Sequence, residues 1–197
     1  LGASMKSNSV YARTKAEGER ALLRQFKTAV VLRPSVVFGP GDSFFNRFGQ
    51  MAMIAPALPL IGGGTNKMQP VFVGDVADAV MVILQPTFTG DQIFELGGPK
   101  IYTFKELMEL TLTAVARKRL LLPVPFAVMS LPAFFAGFLP NPPITLDQLT
   151  LLKTNNICSP KASGFAELGI DPRAAEMIVA DYLAPFRPGG RFVAQKR

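Results

Sequence analysis

Histidine and tryptophan are both absent from these 197 residues, and cysteine occurs once, at Cys158. The missing histidine excludes, within this chain, a Ser-His-Asp triad, a histidine metal ligand and a histidine general base. The single cysteine excludes an internal disulfide and fits a reducing compartment. Charged residues are scarce at 18%, but hydrophobic residues reach 49%, which is the composition of a chain that buries a core. The opening Leu1-Gly2-Ala3 does not resemble a signal peptide.

Acidic residues are also in deficit, 14 against 21 basic ones, a net charge of +7. The surplus is uneven. Residues 1–33 carry seven basic and two acidic groups, residues 34–146 carry seven of each, and residues 147–197 carry seven against five. A basic surface suits nucleic acid, anionic lipid or an acidic partner, or it is simply a set of solvated helix faces. No nucleic-acid motif is present and no aromatic residues interleave the basic cluster, so nucleic acid is not expected as a partner.

Charge is missing altogether from Leu120 to Leu146. The length suits a transmembrane helix. Six prolines (Pro123, Pro125, Pro132, Pro140, Pro142 and Pro143) count against it, and Pro132 would break a helix near its middle. Three readings stay open: a helix from Phe126 to Leu139 buried under the domain, an apolar surface lying on a membrane or a membrane protein, or a true span. Phe126, Phe134, Phe135 and Phe138 are the exposed candidates under the second.

What is there reads as strands alternating with helices. Ser7-Asn8-Ser9 offers N-caps for a helix to about Phe26. Tyr11, Lys15, Gly18, Leu22 and Phe26 recur at the helical period, opposite Arg13, Glu17, Arg20 and Arg24, and are expected to face the protein. Ala29 to Arg33 reads as a fully buried strand stopped by Pro34. A proline- and glycine-rich loop follows to Asp42, then a helix around Phe44–Ala55. Gly62-Gly63-Gly64 marks a flexible turn. Val71-Phe72-Val73 is a short strand. Asp75 is expected to cap a helix to about Leu84, with Asp78 in its first turn. Ile93 to Leu96 is another strand, and Thr103 with Glu106 forms a capping box for a helix to about Arg117. Pro188 to Arg191 and Lys196-Arg197 read as a mobile basic tail. The alternation predicts an α/β fold with a largely parallel sheet, becoming mainly helical after residue 100.

Tyr11 and Lys15 are the candidate chemical pair. Four residues apart on a helix, they share one face. An ammonium beside a phenol favours the phenolate and makes it an acid/base group, able to exchange a proton with an oxygen while a nicotinamide carries hydride. The lysine can also hydrogen-bond ribose hydroxyls.

Context narrows this. Tyr-x-x-x-Lys is followed by Leu32-Arg33-Pro34-Ser35-Val36-Val37-Phe38-Gly39-Pro40-Gly41, then by Val71-Phe72-Val73-Gly74-Asp75-Val76-Ala77. In this order the motifs resemble those of the extended short-chain dehydrogenases/reductases, the NAD-dependent epimerase/dehydratase type. Ser9 to Glu19, Asp42 to Phe48, Pro59-Leu60-Ile61, Met68 to Val73 and Leu121 to Phe126 resemble a narrower group, the nucleotide-binding accessory subunits of respiratory complex I (NADH:ubiquinone oxidoreductase) and their bacterial relatives. The resemblance runs from about Ser9 to Phe192.

That resemblance implies the C-terminal half of a Rossmann-like, doubly wound parallel sheet in residues 1–97 and a smaller, mainly helical region for substrate or partner in residues 98–197. It implies Tyr11 and Lys15 beside the nicotinamide and its ribose, and Pro34, Ser35, Val36 and Val37 as backbone contacts to the nicotinamide amide. Phe44, Asn46, Arg47 and Gln69 would border the substrate cavity. The cofactor would be NADP or NAD. The partners would be complex I subunits, with an anionic membrane surface as a further candidate. The location would be the bacterial cytoplasm, peripheral to the inner membrane, or the matrix side of the mitochondrial inner membrane. An accessory or assembly role is implied, with an active reductase, epimerase or dehydratase on a carbonyl or nucleotide-sugar substrate as the alternative. In such folds the motif lies past the middle of the nucleotide-binding domain, so the chain is expected to be the second part of a larger protein. No Gly-x-x-Gly-x-x-Gly turn precedes a helix here, Gly62 to Gly64 does not replace it, and Ser4, Ser7 and Ser9 lie too near Tyr11 to serve as the helper serine. No metal site is expected.

Overall fold

A computed structural model describes residues 1–136, 138 and 144–190. Helix α1 (Val10–Gln25) begins where the caps predict: Ser9 Oγ accepts the Ala12 amide. Its inward face is not the expected one. Ala12 is buried, and Arg13, Ala16, Glu19 and Leu23 are half-buried, while Tyr11, Lys15, Gly18, Leu22 and Phe26 are exposed. The two stripes are one residue apart, roughly 100° around the helix. The buried stripe is the one with small alanines, which allow close approach but add little to a hydrophobicity pattern. Glu19 on it pairs with Arg33 at 2.6 Å.

Strand β1 (Val31–Pro34) runs parallel to β6 (Ile93–Leu96), with Val31 opposite Ile93. Only Val31 in β1 is buried, and β6 is its one partner among the described residues, so the strand is half-covered rather than fully buried. Three further ladders follow. β2 (Val37–Phe38), inside the expected loop, pairs in parallel with β5 (Val71–Phe72). β3 (Ala57–Ile61) pairs in parallel with β8 (Leu120–Val124), which opens the charge-free run. β4 (Lys67–Met68) is antiparallel to β7 (Tyr102–Thr103). The α/β class with mainly parallel pairing is as expected, as separate two-stranded ladders among the described residues.

Helix α2 (Phe45–Ile54) ends before Pro56, and α4 (Phe104–Ala114) starts on the Thr103–Glu106 capping box, both as the sequence predicts. Helix α3 (Val73–Ile83) starts two residues before Asp75, which is therefore not its cap. Asp75 is buried in the first turn and receives Arg173 Nε at 2.6 Å and the Arg173 amide at 2.7 Å. A buried carboxylate needs such a partner more than a helix end needs a cap. The Gly62–Gly64 turn is packed at two of its three glycines. All three have positive φ, and a Cβ would lie 2.2 Å from the Phe126 ring at Gly62 and 3.1 Å from Lys105 at Gly64.

The main core joins Phe38, Phe45, Leu58 and Met68 to Tyr102, Phe104, Leu107 and Leu183. A second cluster holds Val71, Phe94, Leu96 and Phe165. Three arginines close helix ends from outside. Arg187 donates to the Ala114 carbonyl at 2.7 Å and the Ala180 carbonyl at 2.8 Å, Arg117 to Phe186 O at 2.8 Å, and Arg119 to Ala52 O at 2.9 Å.

Helix α5 (Phe126–Ala136) is not buried under the domain. Ala133, Met129 and Phe126 face Leu149 of α6 (Leu146–Leu152), but Val128, Leu131, Phe134, Phe135 and Phe138 are exposed. Phe126 itself is half-buried, with Lys153 Nζ 5.7 Å from its ring centroid. No helix of the described residues is long and apolar enough to cross a membrane. Leu139, Pro140, Pro142 and Pro143, and Arg191, Phe192, Lys196 and Arg197, lie outside the described residues. Helix α7 (Ala175–Tyr182) completes the elements used below.

Candidate functional site

Tyr11 and Lys15 sit on successive turns of α1, and the Lys15 ammonium lies 5.5 Å from the Tyr11 ring centroid. Tyr11 is 56% exposed, so water screens the pair, and a cation–π contact of this kind is worth about 0.5–1 kcal/mol. Among the described residues neither the Tyr11 hydroxyl nor the Lys15 ammonium has a hydrogen-bond partner. Both remain available to a ligand.

The 34–37 segment is tightly placed. Pro34 closes β1, the Ser35 amide donates to Leu96 O at 2.8 Å, and Val36 O accepts the Val71 amide at 2.9 Å. Buried Ser35 donates its hydroxyl to Asn156, whose carbonyl also accepts the Gln69 amide at 2.9 Å. Gln69 uses both ends of its side chain on backbone: Nε2 donates to Gly98 O at 2.8 Å, and Oε1 accepts the Cys158 amide at 3.0 Å. Ser35 and Gln69 therefore meet at Asn156. Nothing in the sequence pattern singles out this residue beyond a polar Thr154-Asn155-Asn156 loop.

Phe44, Asn46 and Arg47 form a second group at the start of α2. Phe44 stacks edge-on with Phe45, Phe48 and Phe104, at centroid distances of 5.1, 5.3 and 6.0 Å. Asp42 organises this turn, accepting the Phe44 amide at 2.8 Å and the Asn46 amide at 3.1 Å. The Asn46 Nδ2 is buried and has no hydrogen-bond partner among the described residues. Val37 is on the exposed side of β2. Asp42 and Asn156 are the organising residues that sequence reasoning missed: Asp42 gathers the backbone amides of Gly39, Phe44 and Asn46 within its own turn, and Asn156 meets Ser35 and Gln69 from far along the chain.

Two open grooves flank the fold. One of about 440 Å³ lies between α1 and β1, lined by Ala16, Glu19, Leu23 and Arg33 among others, and one of about 680 Å³ lies by Phe88, Asp91 and Glu167. Neither of these two grooves is lined by Tyr11, Lys15 or the α2 group. Among the described residues no group of acidic, cysteine and histidine side chains could hold a metal ion. For a nicotinamide dinucleotide, the free phenol and ammonium fit the ribose end. Within the 62–64 turn the Phe126 ring lies against Gly62 and Lys105 of α4 against Gly64, so the turn is not the open glycine cradle a pyrophosphate needs.

Residues 1–97 match the NAD dependent epimerase/dehydratase family. Over 96% of its length the chain is 34% identical to the mitochondrial NADH dehydrogenase (ubiquinone) 1 alpha subcomplex subunit 9 of Arabidopsis thaliana, covering 50% of that protein. The Mus musculus subunit of the same name is 30% identical over 95% of the chain, again with 50% of its own length covered. The chain thus spans about half the length of these relatives. Among solved structures, the dTDP-glucose 4,6-dehydratase of Bacillus anthracis in complex with NAD superposes with a TM-score of 0.62 at 18% identity, over 96% of this chain and 53% of that one. At that identity the likeness shows the fold alone.

Proposed function

Residues 1–97 belong to the NAD dependent epimerase/dehydratase family, and on that premise we propose that the protein is a nicotinamide-dinucleotide-binding accessory component of complex I that serves its assembly or stability. The carrying observation is the 34% identity to the Arabidopsis subunit, sustained over 96% of the chain. Tyr11 and Lys15 take the nicotinamide ribose of NADP or NAD, with Pro34, Ser35, Val36 and Val37 alongside. Phe44, Asn46, Arg47 and Gln69 border the adjoining cavity. Residues 1–97 supply the second half of the nucleotide domain and residues 98–197 the partner-facing region.

The mitochondrial relatives support a mitochondrial, inner-membrane-associated location; the matrix side of that membrane, or the cytoplasmic side in a bacterium, is part of the proposal. The exposed apolar face of α5, with Lys118 exposed just before β8, suits an anionic membrane surface beside the complex. The test is native electrophoresis of detergent-solubilised membranes from the source cells, followed by mass spectrometry of the bands. Co-migration with complex I subunits and release of NADP(H) or NAD(H) on denaturation are expected. A protein that runs alone and carries no nucleotide overturns the proposal.

A second reading, an active reductase, epimerase or dehydratase, is favoured by one observation. The Tyr11–Lys15 pair is intact and has no competing hydrogen-bond partner among the described residues. Turnover on carbonyl or nucleotide-sugar substrates that is lost in Tyr11→Phe establishes it. Absence of turnover in the wild type removes it.

A further inference from the structure

Helix α1 starts on a carboxylate supplied from far along the chain. Asp147 lies in the first turn of α6. It accepts the Ser9 hydroxyl at 2.8 Å, the Val10 amide at 2.8 Å and the Tyr11 amide at 3.2 Å. The first amides of a helix have no partner inside it. Ser9 Oγ takes the Ala12 amide, and Asp147 takes the two before it. A negative charge there also opposes the positive end of the helix dipole. The backbone of Tyr11 is therefore held by α6.

Helix α6 is itself anchored in two directions. Its own start is fixed by a Thr145–Gln148 capping box. Its buried Leu149 packs in one cluster with Ala133, Met129 and Phe126 of α5 and with Ile61. One packed unit thus carries both the exposed apolar face of α5 and the carboxylate that fixes the first turn of α1.

We propose that Asp147 is a positioning residue for the Tyr11–Lys15 pair, holding the first turn of α1 from α6. The inference rests on the reading of that pair as nicotinamide-site residues. Asp147 acts on backbone and does not touch the cofactor.

The test uses the protein as the source cell makes it. Asp147→Asn and Asp147→Ala are compared with Thr103→Ala, which removes a capping box on α4, remote from α1. Dinucleotide affinity is titrated by NADPH and NADH fluorescence below the melting temperature of every variant, and amide hydrogen exchange is followed along α1. Loss of one cap is worth a factor of about five. Asp147→Ala should weaken dinucleotide binding roughly three- to tenfold by that measure, Asp147→Asn, which keeps one acceptor oxygen, should weaken it less, and Thr103→Ala should leave it unchanged despite a similar drop in melting temperature. Exchange should rise at Val10 and Tyr11, but not at Leu22 to Gln25, in Asp147→Ala and also in Leu149→Ala. Wild-type affinity in both Asp147 variants overturns the inference. If the wild type binds no dinucleotide, the functional reading fails, and exchange alone decides the inference: unchanged protection at Val10 and Tyr11 overturns it, and a selective rise there in Asp147→Ala and Leu149→Ala sustains it.

Discussion

The phenol of Tyr182 donates to Asp42 Oδ2 at 2.6 Å, tying the last residue of α7 to the turn that leads into α2. The same carboxylate accepts the amides of Gly39, Phe44 and Asn46. One side chain thus joins the C-terminal helix to the candidate substrate-side residues. Burial, and then the bond to Asp42, push the Tyr182 pKa well above its ordinary value, so the hydroxyl stays a donor at any physiological pH.

Tyr182→Phe removes this bond and little volume. Hydrogen bonds to charged groups contribute about 1.5–3 kcal/mol, and the variant should lose stability in that range. The measurement is urea unfolding, with a lower midpoint and an unchanged slope. A wild-type midpoint would mean that water replaces the phenol without loss.

Acid should unfold the protein partly through two capping carboxylates. Burial opposes ionisation of Asp147, but the bonds from Ser9, Val10 and Tyr11 prevail and hold its pKa below the ordinary value. The Thr103 amide and hydroxyl do the same for Glu106. Both folded values lie below the unfolded ones. The stability they contribute is in place above the unfolded values, about 4, and is lost as pH falls through the folded values. Unfolding free energy measured from pH 6 down to the acid limit should fall less steeply in Asp147→Asn/Glu106→Gln than in wild type. Parallel curves would refute the assignment.

Adjacent glycines offer an internal comparison. Gly62 and Gly63 have φ of 63° and 75°, but only Gly62 faces the Phe126 ring; nothing lies within 4 Å of a Cβ at Gly63. Gly63→Ala should cost only left-handed backbone strain, about 1–2 kcal/mol. Gly62→Ala should cost about 1–3 kcal/mol more, because the ring must move. Equal losses in thermal or urea unfolding would show that Phe126 moves aside freely.

Cys158 should be nearly inert in the folded protein. Burial pushes its thiol up to about 11, and Glu95 adds to the effect. Against a free thiol near 8.5, the thiolate fraction at pH 8 falls by roughly two orders of magnitude. A disulfide dye should react slowly with native protein and at the ordinary rate in denaturant. Equal rates would mean that the site opens readily.

Local chemistry was readable and long-range chemistry was not. Ser9, the Thr103–Glu106 box and Pro56 set helix ends through contacts within a few residues, and each does what its spacing predicts. The inward face of α1 was misread because large residues dominate a periodic pattern, whereas packing selected Ala12 and Ala16. The pairing of β3 with β8 joins segments more than 60 positions apart, and β8 contains a proline that disguises it. Asp75 was read as a cap because its partner, Arg173, lies 98 positions away. At the candidate site the Tyr11–Lys15 pair was legible from spacing alone. Asp147, Asn156 and the tie from Asp42 to Tyr182 were not, since each joins groups that only the folded chain brings near.

Hydrogen bonds to neutral carbonyls leave the charges of Arg117, Arg119 and Arg187 in place, so what steers a distant ion is where charge is unbalanced. Residues 1–33 carry seven basic groups against two acidic ones. On α1 and its flanks Lys6, Lys15, Arg20, Arg24 and Lys27 are all exposed. The long-range attraction is therefore directional. An anion diffusing toward the protein is drawn to the Tyr11–Lys15 side, at a rate that should fall as salt is added.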